Sequence, residues 1–393
     1  MKQDFTKLDH LLRDFADRKT IPGCACSLMQ GDEVIYEGYY GCADIASGRP
    51  ITRNSMFRQE NISYLFTYTA LAMLYEQGKF LYSDPIGEYL PEWRDIQKYV
   101  VKGNGAVDVA PLTRPLTIRT AAASMCGLPN VLTPAEGAGS PTQAAMDQRM
   151  RELCAGGAAP TLREEVRAMA GVPVMFEPYS HWHYGFGIQV VGAIIEELTG
   201  KPLRQVYREM IIDPLGLKDT DTYITPENRD RVVTAYRKLE DGSLAADSGA
   251  DRRYDPAQSP EGASPLVLSS AADLAVFMQM LANGGTYKGQ KYLGSGTVAM
   301  MMSNQLENPH FPDFLDNRNK EGYAYGMGFR TVVRLKYGHN GHYDNFGSTG
   351  EMGTWVEADP TVKLAMAYGH NMTPSEDVYH HHRVRAVAYG CAL

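Results

Sequence analysis

The order in which strand-like and helix-like patterns occur along the chain constrains its fold most tightly. The chain opens with MKQDFTKLDHLLRDFADRKT, in which Phe5, Leu8, Leu11, Leu12 and Phe15 share one face at helical spacing. GCACSLMQGDEVIYEGYYGCADIASGRPIT then reads as two strands joined by a Gly-Asp turn, with a third short extended piece after them. A long, mainly helical middle follows. From residue 323 the pattern returns to short, turn-punctuated strands, and the chain closes on a helix from about 375. Both ends therefore supply the same element types. The economical solution is one antiparallel sheet built from both ends and flanked by the terminal helices, with a helical lobe inserted between them. This predicts an α/β (α+β) architecture: residues 1–60 and 310–393 form a sheet lobe, 61–309 an inserted helical lobe, and the two make one composite domain. A cleft between lobes is the default site.

Within the middle, MFRQENISYLFTYTALAMLYEQGKF predicts a loop and then a helix over 61–77, with Gly78 as its C-cap. The stretch 91–170 reads as loop-rich, with small residues and several prolines. GFGIQVVGAIIEELTG predicts a strong helix over 185–200, and another follows over 202–213, closed by DPLGL. Residues 225–263 are polar and read as a long surface excursion that covers the cleft or makes a dimer contact. SSAADLAVFMQMLANGG is helical, with Ser269 or Ser270 as N-cap.

Composition narrows the function classes. At 393 residues, 44% hydrophobic and 21% charged, the chain is an ordinary globular protein with room for a large core. A formal net charge of −8 argues against nucleic acid and against an anionic membrane as partners. No apolar run has membrane length, and the charged N-terminus lacks the apolar core of an export signal, so a cytoplasmic location is expected. The six cysteines, at 24, 26, 42, 126, 154 and 391, show no zinc-ligand spacing and read as free thiols, mostly buried. His181 and His183 point the same way on an extended segment and could form half a metal site; ordinary polar lining is the simpler reading. The run His380 to His382 reads as a solvated helix face. No cofactor or metal is expected, and the oligomeric state is not legible.

Several segments resemble the serine β-lactamase-like family, which comprises class C β-lactamases, D-Ala-D-Ala carboxypeptidases and related esterases. GDEVIYEGYYGCADIASGRPITRNSMFR is similar to the family's opening hairpin, and LAMLYEQGKFLYSDPIGEYLPEW to the stretch after its nucleophile helix. PLTIRTAAASMCGLPN resembles a loop ending in Thr-Ser-Gly-Leu. SHWHYGFGIQVVGAIIEELTGKPLRQVYREMIIDPLGLKDT is the nearest match, and SSAADLAVFMQMLANGG and YGMGF also fit. The resemblance implies three chemical elements: Ser-x-x-Lys at a helix start, a Tyr-x-Asn-like motif, and a Lys/His-Thr-Gly-like strand that binds substrate carboxylate and lines the oxyanion hole.

Aligned on Phe57-Arg58 and FTYTA, the Ser position is Asn61 and the Lys position is Tyr64. Tyr184 matches the family Tyr, with Gly185 where Ser is common. FGSTGEMGTWVEADP matches the third element, with Ser348 in place of His or Lys and with Thr349 and Gly350 intact. A carboxamide is not a nucleophile, so Asn61 cannot form an acyl-enzyme. A phenol of ordinary pKa about 10 is a poor substitute for a tuned Lys. Asn61 reads as an N-cap, and as a group holding a ligand carbonyl or carboxylate; the two roles are compatible. Tyr64 reads equally as core packing or as a polar cleft contact.

The expected protein is thus a β-lactamase-related serine-hydrolase homologue that has lost acyl-serine chemistry, a pseudoenzyme. Its cleft, lined by Asn61, Tyr64, Tyr184, Ser348, Thr349, Gly350 and Cys126, would bind a small molecule with a carbonyl or carboxylate group. One alternative is an active esterase or amidase with a displaced nucleophile such as Ser63 or Cys126 and Tyr184 as base. The other is a tyrosine-based acid/base enzyme in which Tyr64 and Tyr184 act as a catalytic phenol pair.

Overall fold

The computed structural model describes residues 3–18, 20–130, 140–157, 159–315 and 321–393. The chain ends do meet in one sheet. Strands β1 (Gly23–Gln30) and β2 (Glu33–Asp44) form the opening hairpin, and β3 is the short Arg49–Pro50. At the hairpin tip Gly31 and Asp32 have φ of 57° and 73°, the left-handed pair a tight strand-to-strand turn requires. From the other end come β4 (Tyr323–Tyr325), β5 (Arg330–Val332), β6 (Phe346–Thr349), β7 (Trp355–Asp359) and β8 (Leu364–Gly369). The order is β4-β5-β6-β7-β8-β1-β2-β3, antiparallel throughout. The chain closes on itself where Ala25 faces Gly369 and Gln30 faces Leu364.

Strand β1 is buried on both faces, and its period-2 alternation divides two cores. Cys24, Cys26 and Leu28 face the terminal helices, while Ala25 and Met29 face the main core. The N-terminal helix Thr6–Asp17 buries Leu8, Leu12 and Phe15. The helix Ala271–Ala282 packs on β1 and β8 from the other side, its start capped by Ser270, whose hydroxyl accepts from the Asp273 N–H at 3.1 Å.

Three expectations are corrected. The run His380 to His382 is only in part a solvated face: His382 is exposed, but the two residues before it are buried. His380 and His381 are 0% and 4% exposed, because the last helix, Asp377–Ala392, lays them against the sheet and the first helix. The Phe15 ring meets His380 edge-on at 4.7 Å, and His381 Nε2 pairs with the Gly353 carbonyl at 3.1 Å. The stretch 91–170 is more ordered than its composition implies, although 131–139 and 158 lie outside the described residues. It holds a hairpin (Gln97–Val101 with Val107–Pro111) and two capped helices, Pro141–Cys154 and Leu162–Met169. The polar segment 225–263 is not only a surface excursion. Its first part pairs Tyr236–Lys238 with Met372–Thr373, and its second carries Tyr254 into the protein, 0% exposed, so that the phenol donates to Glu60 Oε1 at 3.1 Å.

Candidate functional site

A cleft of about 620 Å³ opens where the start of the helix Ser63–Glu76 meets the segment 182–184 and strands β5 and β6. The helix start is held from behind. Phe57–Arg58 pairs with Leu268–Ser269, and the buried Gln59 amide donates to the Phe57 and Ser269 carbonyls at 3.0 and 2.9 Å. Glu60 then turns the chain with a left-handed φ of 45°, a strained position for a residue with a side chain. Asn61 follows in a 3₁₀ turn, Glu60–Ile62, before the helix proper.

Asn61 is not an N-cap, because neither the turn nor the helix has a side-chain cap. The turn carries the Asn61 backbone past the capping position, and its carboxamide lines the cleft instead. Tyr64 is three residues on, on the same helix face, and lines the cleft beside it. The Arg253 guanidinium stands close enough to act on its phenol against the effect of burial. Ser63 faces elsewhere, as the helical rotation requires: it is fully buried, and its Oγ accepts from the Val267 N–H at 2.7 Å.

One turn further, Tyr68 packs where Gly328 leaves room; a Cβ at Gly328 would lie 2.0 Å from the Tyr68 ring. Tyr184 completes the phenol wall, beside Trp182 and Phe314, which also line the cleft. Burial pushes the phenols of Tyr64, Tyr68 and Tyr184 up, although Arg253 opposes the rise at Tyr64 and Arg330 opposes it at Tyr184. Phenols held up in this way are neutral at pH 7 and act as hydrogen-bond donors. The expectation of Tyr64 and Tyr184 as a catalytic base pair needs a depressed pKa, and burial works in the opposite direction.

On the facing strand, Ser348 and Thr349 are half-buried and line the cleft. Gly350 and Cys126 do not line it. A Cβ at Gly350 would lie 2.2 Å from Thr354 Oγ1 and 2.5 Å from the Gln59 carbonyl, so this glycine lets β6 close up against the turn that presents Asn61. Cys126 is 1% exposed in the main core beside Gly187, and burial pushes its thiol up to about 11, which makes it inert. Gly185 likewise has a packing reason: a Cβ there would lie 2.1 Å from the Leu128 carbonyl.

Sequence reading missed the charged members. Arg330 and Glu351 line the cleft, together with Trp182, Phe314 and Tyr325. Beside it, Arg253 sits among Glu60, Tyr64, Tyr254 and Glu165. Burial raises Glu60, and it pushes Glu165 up to about 7 against the pull of Arg253. Only YGMGF, directly before Arg330, gave a sequence signal for any of these. His181 pairs through Nδ1 with Asp313 at 3.0 Å, and among the described residues no three potential metal ligands converge. Among the described residues no helix is long and apolar enough to cross a membrane.

Known proteins share this frame. The Esterase EstB of Burkholderia gladioli is 25% identical over 301 residues, 71% of this chain and 70% of that one. Protein Rv1367c of Mycobacterium tuberculosis is 26% identical over 365 residues, 91% of this chain and 87% of that one. Among solved structures, EstCE1, described as a hydrolase with promiscuous acyltransferase activity, matches with a TM-score of 0.77 at 21% identity over 98% of each chain. Unliganded simvastatin synthase LovD from Aspergillus terreus matches at 0.78 and 17% identity, over 99% of this chain and 97% of that one. Both structural likenesses speak to the fold. The sequence profile of the Beta-lactamase family matches residues 8–389. With the two-ended sheet and the helix-start cleft, that match makes this chain a member of the β-lactamase family with its transpeptidase-like fold.

Proposed function

We propose that the cleft binds a small molecule through its carbonyl or carboxylate group and does not form an acyl-serine with it. The observation that carries this reading is the chemistry at the helix start. Asn61 lines the cleft where the family resemblance calls for the acylated Ser, and Tyr64 stands where it calls for Lys. The amide can donate to a carbonyl or accept from an N–H, but it does not attack. The displaced nucleophiles fare no better. Ser63 is sealed in the core as an acceptor, and Cys126 is buried with its thiol raised. Ser348 lines the cleft, but among the described residues no hydrogen-bonded base stands beside it.

The named activities of relatives, esterase for EstB and hydrolase with acyltransferase activity for EstCE1, define the alternative: acyl transfer through a hydroxyl of this cleft. A second reading is favoured by one observation. Burial pushes the Glu165 carboxyl up to about 7 against the pull of Arg253, in the range that suits proton transfer at neutral pH, and its charge reaches Tyr64 on the cleft wall. Incubation with a fluorophosphonate probe, nitrocefin and p-nitrophenyl esters separates these readings. Binding without chemistry gives no label and no turnover. A Ser-linked adduct found by mass spectrometry would overturn the proposal. Turnover without an adduct, lost in Glu165→Gln, would favour the acid/base reading.

A further inference from the structure

Between the sheet and the last helix lies a second, much smaller cavity of about 30 Å³. Arg330 of β5 and Glu357 of β7 pair on either side of Gly347 of β6, which has no side chain to fill the space between them. The last helix closes the cavity with Asp377 of its first turn and with His381, His382 and Arg385. A space of this size admits a water molecule or one monatomic ion and is too small for a carboxylate-bearing ligand.

Three features favour an anion there. Arg385 is 4% exposed. Its Nη1 donates to the Tyr323 hydroxyl and to His339 Nδ1, and its Nη2 to the Gly338 carbonyl, but its buried Nε–H has no hydrogen-bond partner among the described residues. Arg330 is half-buried, and among the described residues no carboxylate stands within ion-pair distance of it. The last helix, 16 residues long, starts without a side-chain cap, so the positive end of its dipole adds to the two guanidiniums.

The opposing charges are Asp377 and Glu357. Asp377 offsets one guanidinium. Glu357 is 2% exposed and accepts from Asn345 Nδ2 and the Tyr389 hydroxyl, each at 3.3 Å. Burial pushes its carboxyl up to about 7; Asp359 adds to the rise, and Arg385, Asn345 and Tyr389 oppose it. Burial also lowers His381 to about 4, lowers His382 and raises the Tyr323 phenol, so these rings add no charge at neutral pH. With Glu357 protonated, two guanidiniums outweigh one carboxylate; with Glu357 ionised, the charges balance.

We propose that this cavity binds one monatomic, monovalent anion of chloride's size. Arg330, Arg385 and the start of the last helix hold it, and a proton on Glu357 enters with it. The inference does not depend on what the cleft binds or on the chemistry at Asn61.

Chloride is titrated into the full chain and read by its NMR linewidth, with sodium gluconate, whose anion is too large for the cavity, holding the ionic strength. The parent chain should broaden the chloride line saturably. Affinity should fall about tenfold between pH 6 and pH 8, the ratio set when only the form protonated near 7 takes the anion. Glu357→Gln has no proton to lose and should bind at pH 8 as tightly as at pH 6. Arg330→Gln breaks no ion pair among the described residues and should abolish the saturable broadening at both pH values while keeping the parent circular dichroism. A bromide-soaked crystal of the parent chain should place its anomalous peak within hydrogen-bond distance of Arg385 Nε. Broadening no greater than in a protein-free blank, saturable binding that survives Arg330→Gln, an affinity indifferent to pH in the parent chain, or bromide peaks only elsewhere would each overturn the proposal.

Discussion

At the scale of single residues, the departures at the cleft are supported by their surroundings. Gly185 stands where the family commonly has Ser, and there is no room for that Ser: the Leu128 carbonyl occupies the space its Cβ would need. Gly185→Ser should therefore not restore a family motif. It should destabilise the protein by about 1–3 kcal/mol through overpacking, read as a lowered midpoint in urea. An unchanged midpoint would mean that the Pro129 backbone, which pairs with Gly185 in an isolated antiparallel bridge, moves aside freely. Asn61, Tyr64, Tyr184, Ser348 and Thr349 were legible because each sits inside a short segment with its own recognisable frame. Arg253, Glu165, Glu351 and Arg330 were not. Their meaning comes from tertiary convergence, since Arg253 and Glu165 reach Tyr64 from segments far away in the chain. A lone charge in a polar stretch has no periodicity to announce it.

At the scale of elements, local chemistry was read well where caps and turns decide the backbone and poorly where packing does. The Gly31-Asp32 turn, the Ser270 cap and the left-handed Gly78 that ends the nucleophile-position helix all follow from one or two residues. The helix at 63–76 shows the opposite case. Asn is among the best caps, yet the strained turn at Glu60 and the pinned Gln59 set where the helix begins, and Asn61 is left for the cleft. Two substitutions contrast these roles. Ser270→Ala should cost about 1 kcal/mol, because it leaves the Asp273 N–H without its acceptor. Asn61→Ala should cost less than about 0.5 kcal/mol in stability, as a substitution that removes no cap. It should weaken whatever ligand the cleft holds. If the two prove equal in a thermal melt, Asn61 is a cap after all. The helices Pro141–Cys154 and Leu162–Met169 were passed over although Ser140-Pro141 and the Thr161/Glu164 capping box were in plain view. Small residues and prolines around them masked the signal.

At the scale of the whole molecule, closing the sheet from both ends buries titratable groups between β6–β8 and the last helix, and this sets the pH response. Glu357 is 2% exposed, and burial pushes its carboxyl up to about 7; Arg385, Asn345 and Tyr389 work against that rise and Asp359 adds to it. An unfolded glutamate releases its proton near pH 4.3. Between there and about 7 the folded state holds a proton that the unfolded state has lost, so stability falls as pH rises through that window. His381 and His339 act from the other side. Burial lowers both to about 4, whereas the unfolded chain takes up these protons below about 6.5, so stability falls as pH drops from there toward 4. The two limbs oppose each other between about pH 4.3 and 6.5. Glu357→Gln keeps an acceptor for Asn345 and Tyr389 but has no proton to lose. Relative to the parent chain it should gain stability progressively from pH 5 to pH 8, reaching at most about 3 kcal/mol, while leaving the acid limb unchanged. Thermal melts across that range read the difference directly. A constant offset would mean that Glu357 titrates as an ordinary carboxylate, and that the space behind β6 is wetter than its packing implies.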